Sequence, residues 1–138
     1  MKEKIRVFLV DDHELVRESI KDVLEISGCF LVVGQANNGK NALKDLVCFI
    51  NLDYVILDVN LPDINGILLI PKIKAINPKV KVIMLTMNDD DETKSNAIKY
   101  GATAFFTKNF QKEKFISELL NISQKKSTVT QKLALQKN

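Results

Sequence analysis

The sequence predicts an α/β fold in which a parallel five-stranded sheet lies between two layers of helices. Short, apolar, β-branched segments alternate five times with segments whose apolar residues recur at helical spacing. The strand-like segments are apolar almost throughout, which is typical of strands covered on both faces. Parallel neighbours need crossover connections, and the intervening helices supply them. At 138 residues, the chain is long enough for one such domain.

The elements are assigned from short apolar runs for strands and from apolar stripes for helices. The predicted strands are Ile5–Val10, a segment that begins with Leu31–Val33, Tyr54–Leu57, Val80–Thr86 and Ala104–Thr107. The first, fourth and fifth predicted helices are Glu14–Ser27, Asp89–Tyr100 and Phe110–Ser123, and the third ends at about Ile76. The second helix follows Asn38-Gly39, and its apolar stripe consists of Ala42, Leu43, Leu46, Val47 and Ile50.

Glycine, asparagine and proline mark the ends of these elements. Gly28 and Gly101 follow the first and fourth helices, where a left-handed residue commonly closes a helix. Asn60–Gly66 is rich in turn formers and is predicted as the loop between strand three and helix three. Asn77-Pro78 ends helix three, and Pro71 within it is expected to kink the helix.

Charge is distributed unevenly along the chain. Twenty basic and seventeen acidic residues give a net charge of +3, but Gln124–Asn138 holds four of the lysines and no acid. The part that precedes this segment is therefore close to neutral and is not predicted to bind nucleic acid. We predict a folded domain over residues 1–123, followed by a polar, lysine-rich linker or C-terminal tail over residues 124–138.

Neither the cysteines nor the N-terminus indicates an extracellular protein. Cys29 and Cys48 lack the spacing of a metal site or a CxxC motif, and we expect both thiols to be reduced. The apolar run Val7–Val10 is too short for a signal peptide core or a membrane span. The sequence therefore predicts a cytoplasmic location and no membrane contact.

Reactive side chains collect at the carboxyl ends of the predicted strands, where open α/β sheets carry their sites. Asp11 and Asp12 follow strand one, Asp58 follows strand three, Thr86 ends strand four and Lys108 follows strand five. Three carboxylates at one edge repel each other unless a cation compensates them, and hard oxygen ligands suit Mg²⁺. With a lysine and a hydroxyl opposite, this edge can receive a phosphoryl group, with Asp58 as the nucleophile.

Some of these residues also have purely structural explanations. Asp11-Asp12 could end the first strand and cap the helix that follows, because aspartate is a favoured N-cap residue. His13, the sole histidine, lacks a nucleophile partner in the sequence, and we expect a surface or capping role for it. The acidic run Asp89–Glu92 fits a solvated helix start better than a metal cluster.

Four segments of the chain resemble the receiver domains of two-component response regulators, over nearly all of Lys4–Ser123. These segments are Val10–His13, Ile56–Gly66, Met84–Thr86 and Gly101–Lys108. The resemblance implies a flavodoxin-like fold with strand order 2-1-3-4-5. It also implies a phosphoacceptor signalling domain, capable at most of self-phosphorylation and self-dephosphorylation, rather than an enzyme.

The same resemblance implies a role for each residue at the carboxyl edge. Asp58 would accept a phosphoryl group from the phosphohistidine of a sensor histidine kinase. Mg²⁺ would be held by Asp12 and Asp58, by Asp11 mostly through an ordered water, and by the backbone carbonyl of Asn60. Lys108 would pair with the phosphoryl oxygens.

A conformational switch is implied at Thr86 and Phe105. Thr86 would move toward the phosphate and Phe105 would swing inward behind it, which repacks the face of helix four, strand five and helix five. Many members of the family carry tyrosine at the position of Phe105. Here no phenol hydroxyl is present to stabilise the inward state by a hydrogen bond.

The output of the domain is suggested by two further segments. The segments Asp11–His13, Leu15–Glu18 and Val32–Gly39 are similar to receivers of the LuxR/nitrate-type transcriptional regulators, which precede a helix-turn-helix domain. Such a protein would control transcription, could form a homodimer on phosphorylation, and would contact DNA only through a C-terminal domain missing from this chain. A free-standing receiver that acts by protein–protein contact is the alternative.

Two other classes of function are less well supported. An aspartate-nucleophile phosphatase generally needs a second carboxylate two residues after the nucleophile, and that position holds Asn60. A flavin- or nucleotide-binding domain needs a glycine-rich phosphate loop after strand one, and that position holds Asp11-Asp12.

Overall fold

The computed structural model describes residues 3–87 and 90–123, which build a parallel sheet with helices on both faces. The strands are β1 (Ile5–Val10), β2 (Phe30–Ala36), β3 (Tyr54–Asp58), β4 (Lys81–Thr86) and β5 (Ala104–Thr107). The helices are α1 (Glu14–Ile26), α2 (Gly39–Leu46), α3 (Gly66–Ile76), α4 (Asp91–Lys99) and α5, which covers residues 112–123 of the described chain. The strand order β2-β1-β3-β4-β5 confirms the predicted fold class.

Alternate residues of each strand face opposite helix layers. On β1, Phe8 and Val10 pack with residues of α2, α3 and α4, whereas Val7 and Leu9 pack with residues of α1 and α5. The central strand β3 is buried at all five positions. A strand that is covered on both faces needs apolar side chains at successive positions, which explains the unbroken apolar runs in the sequence. The reactive polar residues are therefore placed at the strand ends.

The second helix is shorter than the sequence predicts. It ends at Leu46, and the N–H of Phe49 donates to the Leu46 carbonyl at 3.1 Å in the turn that follows. Val47 and Ile50 lie beyond the helix, with 65% and 91% of their surface exposed, so the prediction that both belong to its apolar stripe is wrong. The turn instead directs Phe49 inward, where its ring lies 5.5 Å from that of Phe8.

The second strand begins at Phe30, one residue before the predicted start, and its pairing with β1 carries it through a glycine to Ala36. The register shifts between Val7 and Phe8, and Phe8 then pairs with Gly34. A Cβ atom at Gly34 would lie 2.7 Å from the Phe8 ring, so glycine allows the close approach. The ladder continues to Ala36 although glycine weakens a strand.

The other boundaries agree with the sequence prediction to within a few residues. Helix α4 begins at Asp91 because the side chain of Asp90 caps it, with Asp90 Oδ1 accepting the Thr93 N–H at 2.7 Å. The predicted first residue of this helix, Asp89, and the predicted tail over residues 124–138 lie outside the described residues. Helix α3 continues through Pro71 to Ile76. Across the described ranges, no helix has the length and apolar character needed to cross a membrane.

Candidate functional site

The carboxyl ends of β1, β3 and β5 meet, and they bring two carboxylates and one ammonium into contact. Lys108 Nζ lies 2.8 Å from Asp11 Oδ2 and 3.0 Å from Asp58 Oδ2. All three side chains are at least nine-tenths buried. The predicted convergence of Asp11, Asp58 and Lys108 is therefore observed, and a single cation is shared between acids from two neighbouring strands.

Burial and charge act in opposite directions on these groups. Burial raises the pKa of Asp58 above its ordinary value, while the hydrogen bonds from the Lys108 amine and the Asn60 N–H counteract part of this rise. Burial alone would lower the pKa of Lys108, but its hydrogen bonds to Asp11 and Asp58 outweigh that effect and raise the pKa. Lys108 is therefore a permanent cation at neutral pH, and burial opposes the ionisation of Asp58.

The carboxylate of Asp12, together with those of Asp11 and Asp58, completes a set of oxygen ligands that suit a hard metal ion. Asp12 follows Asp11 directly, and both carboxylates have an oxygen within 4.8 Å of one from Asp58. Three carboxylates beside one ammonium leave an excess of negative charge, which a divalent cation can compensate. Asp12 is one-third exposed, so the cluster opens to solvent and leaves room for bound waters. The donor set fits Mg²⁺.

The loop after β3 holds Asp58 through close backbone contacts. The N–H of Asn60 donates to Asp58 Oδ1 at 3.1 Å, and the N–H of Gly66 donates to the Val59 carbonyl at 2.6 Å. A Cβ atom at Gly66 would lie 2.0 Å from the Asp58 carbonyl oxygen, so only glycine fits there. Asn65 caps α3 by accepting the Ile67 N–H at 2.9 Å. The turn residues thus fix the position of the Asp58 carboxylate.

Thr86 and Phe105 lie on the two strands beside this cluster. Thr86 is fully buried at the end of β4, and its carbonyl accepts the N–H of Lys108 at 2.8 Å. Phe105 pairs with Met84 across β4 and β5 and is half-buried against the core layer of α2, α3 and α4. Phe106 faces the opposite layer, where its ring lies 5.1 Å from that of Phe115.

His13 is the residue at this site that the sequence analysis did not assign to it. Its backbone provides the N-cap of α1, and its Nδ1 lies 3.3 Å from Asp11 Oδ1 and 3.1 Å from Asp12 Oδ1. The imidazole is 64% exposed, in agreement with the predicted surface position. Proximity to the acid pair in the sequence was the available signal, but the orientation of the ring depends on the backbone at the start of α1.

Comparisons with known proteins agree with this geometry. The response regulator receiver domain family matches residues 7–120. The transcriptional regulatory protein DegU of Brevibacillus brevis is 31% identical over 121 residues, which are 88% of this chain and 51% of that protein. The chemotaxis protein CheY of Thermotoga maritima is 33% identical over 118 residues, which are 86% of this chain and 97% of that protein.

The fold is also matched by a solved structure. The signal receiver domain of the response regulator NarL from Mycobacterium tuberculosis superposes with a TM-score of 0.82 at 27% identity. The superposition covers 89% of this chain and 98% of the solved chain. In contrast, the chain spans about half the length of the first curated relatives that it matches.

Proposed function

Because this chain belongs to the response regulator receiver domain family, we propose that it accepts a phosphoryl group on Asp58 from the phosphohistidine of a sensor histidine kinase. Receiver domains are phosphoacceptor signalling domains and not conventional enzymes. The observation that carries the proposal is the contact of Lys108 Nζ with both Asp58 and Asp11, beside the third carboxylate of Asp12. This arrangement combines a nucleophile, a fixed cation and a set of hard metal ligands at one open edge.

In the proposed reaction, a carboxylate oxygen of Asp58 attacks phosphorus and forms the P–O bond of an acyl phosphate. The P–N bond to the donor histidine breaks, and the leaving imidazole nitrogen keeps the bonding electron pair and takes up a proton from solvent. The buried Lys108 ammonium stabilises the negative charge on the phosphoryl oxygens without first having to be reoriented. The N–H of Asn60 keeps Asp58 Oδ1 in position.

Mg²⁺, when bound, would neutralise charge on the phosphoryl oxygens. We propose that Asp12 and Asp58 hold the ion directly, with Asp11 acting through water and the backbone carbonyl of Asn60 as a further ligand. Asp12 is the more exposed of the two adjacent acids and is the better placed to bind a hydrated ion.

The output is proposed to pass through Thr86 and Phe105 to the face of α4, β5 and α5. The Thr86 carbonyl is tied to the Lys108 N–H, so a group bound at Lys108 is mechanically linked to the end of β4. Phe105 is half-buried, and a partly filled position permits two arrangements of its ring. Beryllofluoride with Mg²⁺, which imitates the phosphoryl group, should shift the amide resonances of residues 91–99 and 104–107. Unchanged resonances there would contradict the switch.

Two forms of output remain in the proposal. The relation to DegU supports control of transcription through a DNA-binding domain outside this chain, with dimerisation on phosphorylation as part of the response. The match to nearly the whole of a CheY protein supports a receiver that acts alone by protein–protein contact. A gel-shift assay with the protein made from the intact coding sequence separates the two forms, because only the first form predicts that this protein binds DNA. For both forms we propose a cytoplasmic location, because the kinase would phosphorylate the protein there.

The phosphoacceptor proposal is tested by intact-protein mass spectrometry. The chain is incubated with Mg²⁺ and either acetyl phosphate or phosphoramidate, whose P–N bond imitates phosphohistidine. We expect one phosphate-sized adduct on the parent chain. The adduct should not form on Asp58→Asn, nor on the parent chain when EDTA removes Mg²⁺ from the incubation. Asp22→Asn, at an exposed position on α1, is the matched control and should keep the adduct. An adduct of equal size in Asp58→Asn would overturn the assignment, and repeated turnover of the phosphodonor would favour a phosphatase.

A further inference from the structure

A potential nitrogen ligand faces the carboxylate cluster at the start of α1. His13 Nδ1 lies 3.1 Å from Asp12 Oδ1 and 3.3 Å from Asp11 Oδ1. Together with Asp58, these three residues each offer one ligand atom, and the four atoms lie within 4.8 Å of one another. The imidazole therefore belongs to the same cluster as the proposed magnesium ligands.

The spacing of these atoms is close to that of ligands around one ion. With metal–ligand bonds of about 2.1 Å, adjacent ligands of an octahedral site lie about 3.0 Å apart and opposite ligands about 4.2 Å apart. The distance of 3.1 Å from His13 Nδ1 to Asp12 Oδ1 matches the adjacent spacing. The upper limit of 4.8 Å for the whole set exceeds the opposite spacing by a few tenths of an ångström. Small side-chain rotations are therefore enough to bring Nδ1 and the carboxylates of Asp12 and Asp58 onto one ion.

The His13 ring is also available for this role. Its side chain makes no capping hydrogen bond at α1 among the described residues, although its backbone occupies the N-cap position. The side chain is 64% exposed, so it is not committed to the core. Its described polar contacts are with the carboxylates themselves. When the ring proton resides on Nε2, the Nδ1 lone pair points at the cluster.

We propose that His13 Nδ1 is a direct ligand of the divalent ion bound by Asp12 and Asp58. This inference rests on the proposed function, because it concerns the same ion site. An imidazole ligand favours borderline ions such as Co²⁺, Ni²⁺ and Zn²⁺, whereas carboxylate and carbonyl oxygens alone favour Mg²⁺. The residue would thus make the site selective for transition metals over magnesium, beyond what its three acids provide.

The test uses Mn²⁺ as a paramagnetic probe on the untagged full chain. Because the chain contains one histidine, a histidine nitrogen that couples to the bound ion can only be that of His13. Pulsed electron paramagnetic resonance should show ¹⁴N modulation from a directly bound nitrogen. In protein labelled with ¹⁵N-histidine, the modulation should move to the ¹⁵N frequencies. This comparison needs no substitution, so a folding defect cannot confuse it.

A second measurement compares affinities in His13→Asn, which replaces the ring nitrogen by an amide oxygen. We expect the affinity for Co²⁺ to fall about tenfold or more, and the affinity for Mg²⁺ to change less than about threefold. An unchanged thermal unfolding midpoint without metal shows that the variant is folded.

The outcomes separate this inference from the proposed function. Mn²⁺ that binds without histidine nitrogen coupling, or equal losses of Co²⁺ and Mg²⁺ affinity, would overturn the role of His13 and leave the carboxylate site intact. Failure of Mn²⁺ and Mg²⁺ to bind at all would overturn both.

Discussion

Lys108 Nζ donates a hydrogen bond to Asp58 Oδ2 at 3.0 Å, although fifty positions separate the two residues in the sequence. The contact is possible because β3 and β5 end at the same edge of a parallel sheet, on either side of β4. The same amine lies 2.8 Å from Asp11 Oδ2. One cation thereby holds three strand ends together through two acids, and this sharing has consequences for stability as well as for chemistry.

Removal of the shared cation should destabilise the fold. Lys108→Met keeps the aliphatic stem but leaves Asp11 and Asp58 buried without their ammonium, and we expect the free energy of unfolding in EDTA to fall by about 3 kcal/mol. Denaturant unfolding measures this change. Adding Asp58→Asn to Lys108→Met should recover part of the loss, and Lys72→Met on the exposed face of α3 is the control. Equal stability of Lys108→Met and the parent chain would contradict the shared-cation account.

Removal of the acceptor carboxylate should stabilise the fold in the absence of metal. Since the pKa of Asp58 is raised by burial, its carboxyl group keeps its proton to a higher pH in the folded state than in the unfolded state. The contribution of Asp58 to stability therefore falls as the pH rises from the ordinary carboxyl pKa through the raised one. At pH 7 and in EDTA, we expect Asp58→Asn to increase the free energy of unfolding, because a neutral amide lacks the desolvation cost of a buried carboxylate. Urea titrations from pH 4 to 7 should show the gain growing with pH; a constant or negative difference would refute it.

The glycine behind Asp58 should tolerate no side chain. In Gly66→Ala the new methyl group would overlap the Asp58 carbonyl oxygen, and we expect a loss of about 3 kcal/mol together with slower phosphorylation, because the acceptor loop must shift. Gly28→Ala is the matched control: Gly28 has φ of +81° and open space around its Cβ position, so backbone strain alone should cost about 1 kcal/mol. Chemical denaturation gives both values. A smaller loss in Gly66→Ala than in Gly28→Ala would show that the close contact is not real.

A buried tyrosine should make stability depend on alkaline pH. The hydroxyl of Tyr54 donates to the Leu119 carbonyl at 2.6 Å, and burial raises its pKa to about 12. Because the unfolded chain ionises this tyrosine near pH 10, its contribution to stability is complete below that pH and falls by about 1.4 kcal/mol per unit above it. Tyr54→Phe should cost about 1 kcal/mol at pH 7 and should lack this alkaline fall. Tyr100→Phe, at an exposed position, should behave as the parent chain; an unchanged slope in Tyr54→Phe would exclude the mechanism.

The core of the site could be predicted from the sequence because topology constrains it strongly. Alternating strands and helices force a parallel sheet, and a parallel sheet brings all strand carboxyl ends to one edge. Asp11 and Lys108 directly follow apolar strands and Asp58 ends one, so their convergence follows from the pattern alone. Their exact distances depend on side-chain packing, which the pattern does not describe.

Other features depend on tertiary contacts that local patterns do not carry. Val47 and Ile50 have helical spacing, but the turn after Leu46 takes both out of α2 and packs Phe49 against Phe8 instead. Glycine is disfavoured in strands, yet Gly34 lies inside β2, where it allows the close approach of the Phe8 ring. The orientation of the His13 ring toward Asp12 is likewise a matter of backbone geometry at the start of α1.

The central claim is that Asp58 itself receives the phosphoryl group, and chemical trapping tests it most directly. Sodium borohydride reduces an acyl phosphate to an alcohol, so a phosphorylated aspartate becomes homoserine, which peptide mass spectrometry can locate. After treatment with acetyl phosphate and Mg²⁺, we predict homoserine at position 58 and at no other acid, and none when the phosphodonor is omitted. Homoserine at Asp11 or Asp12, or an adduct that survives borohydride without any homoserine, would contradict the account.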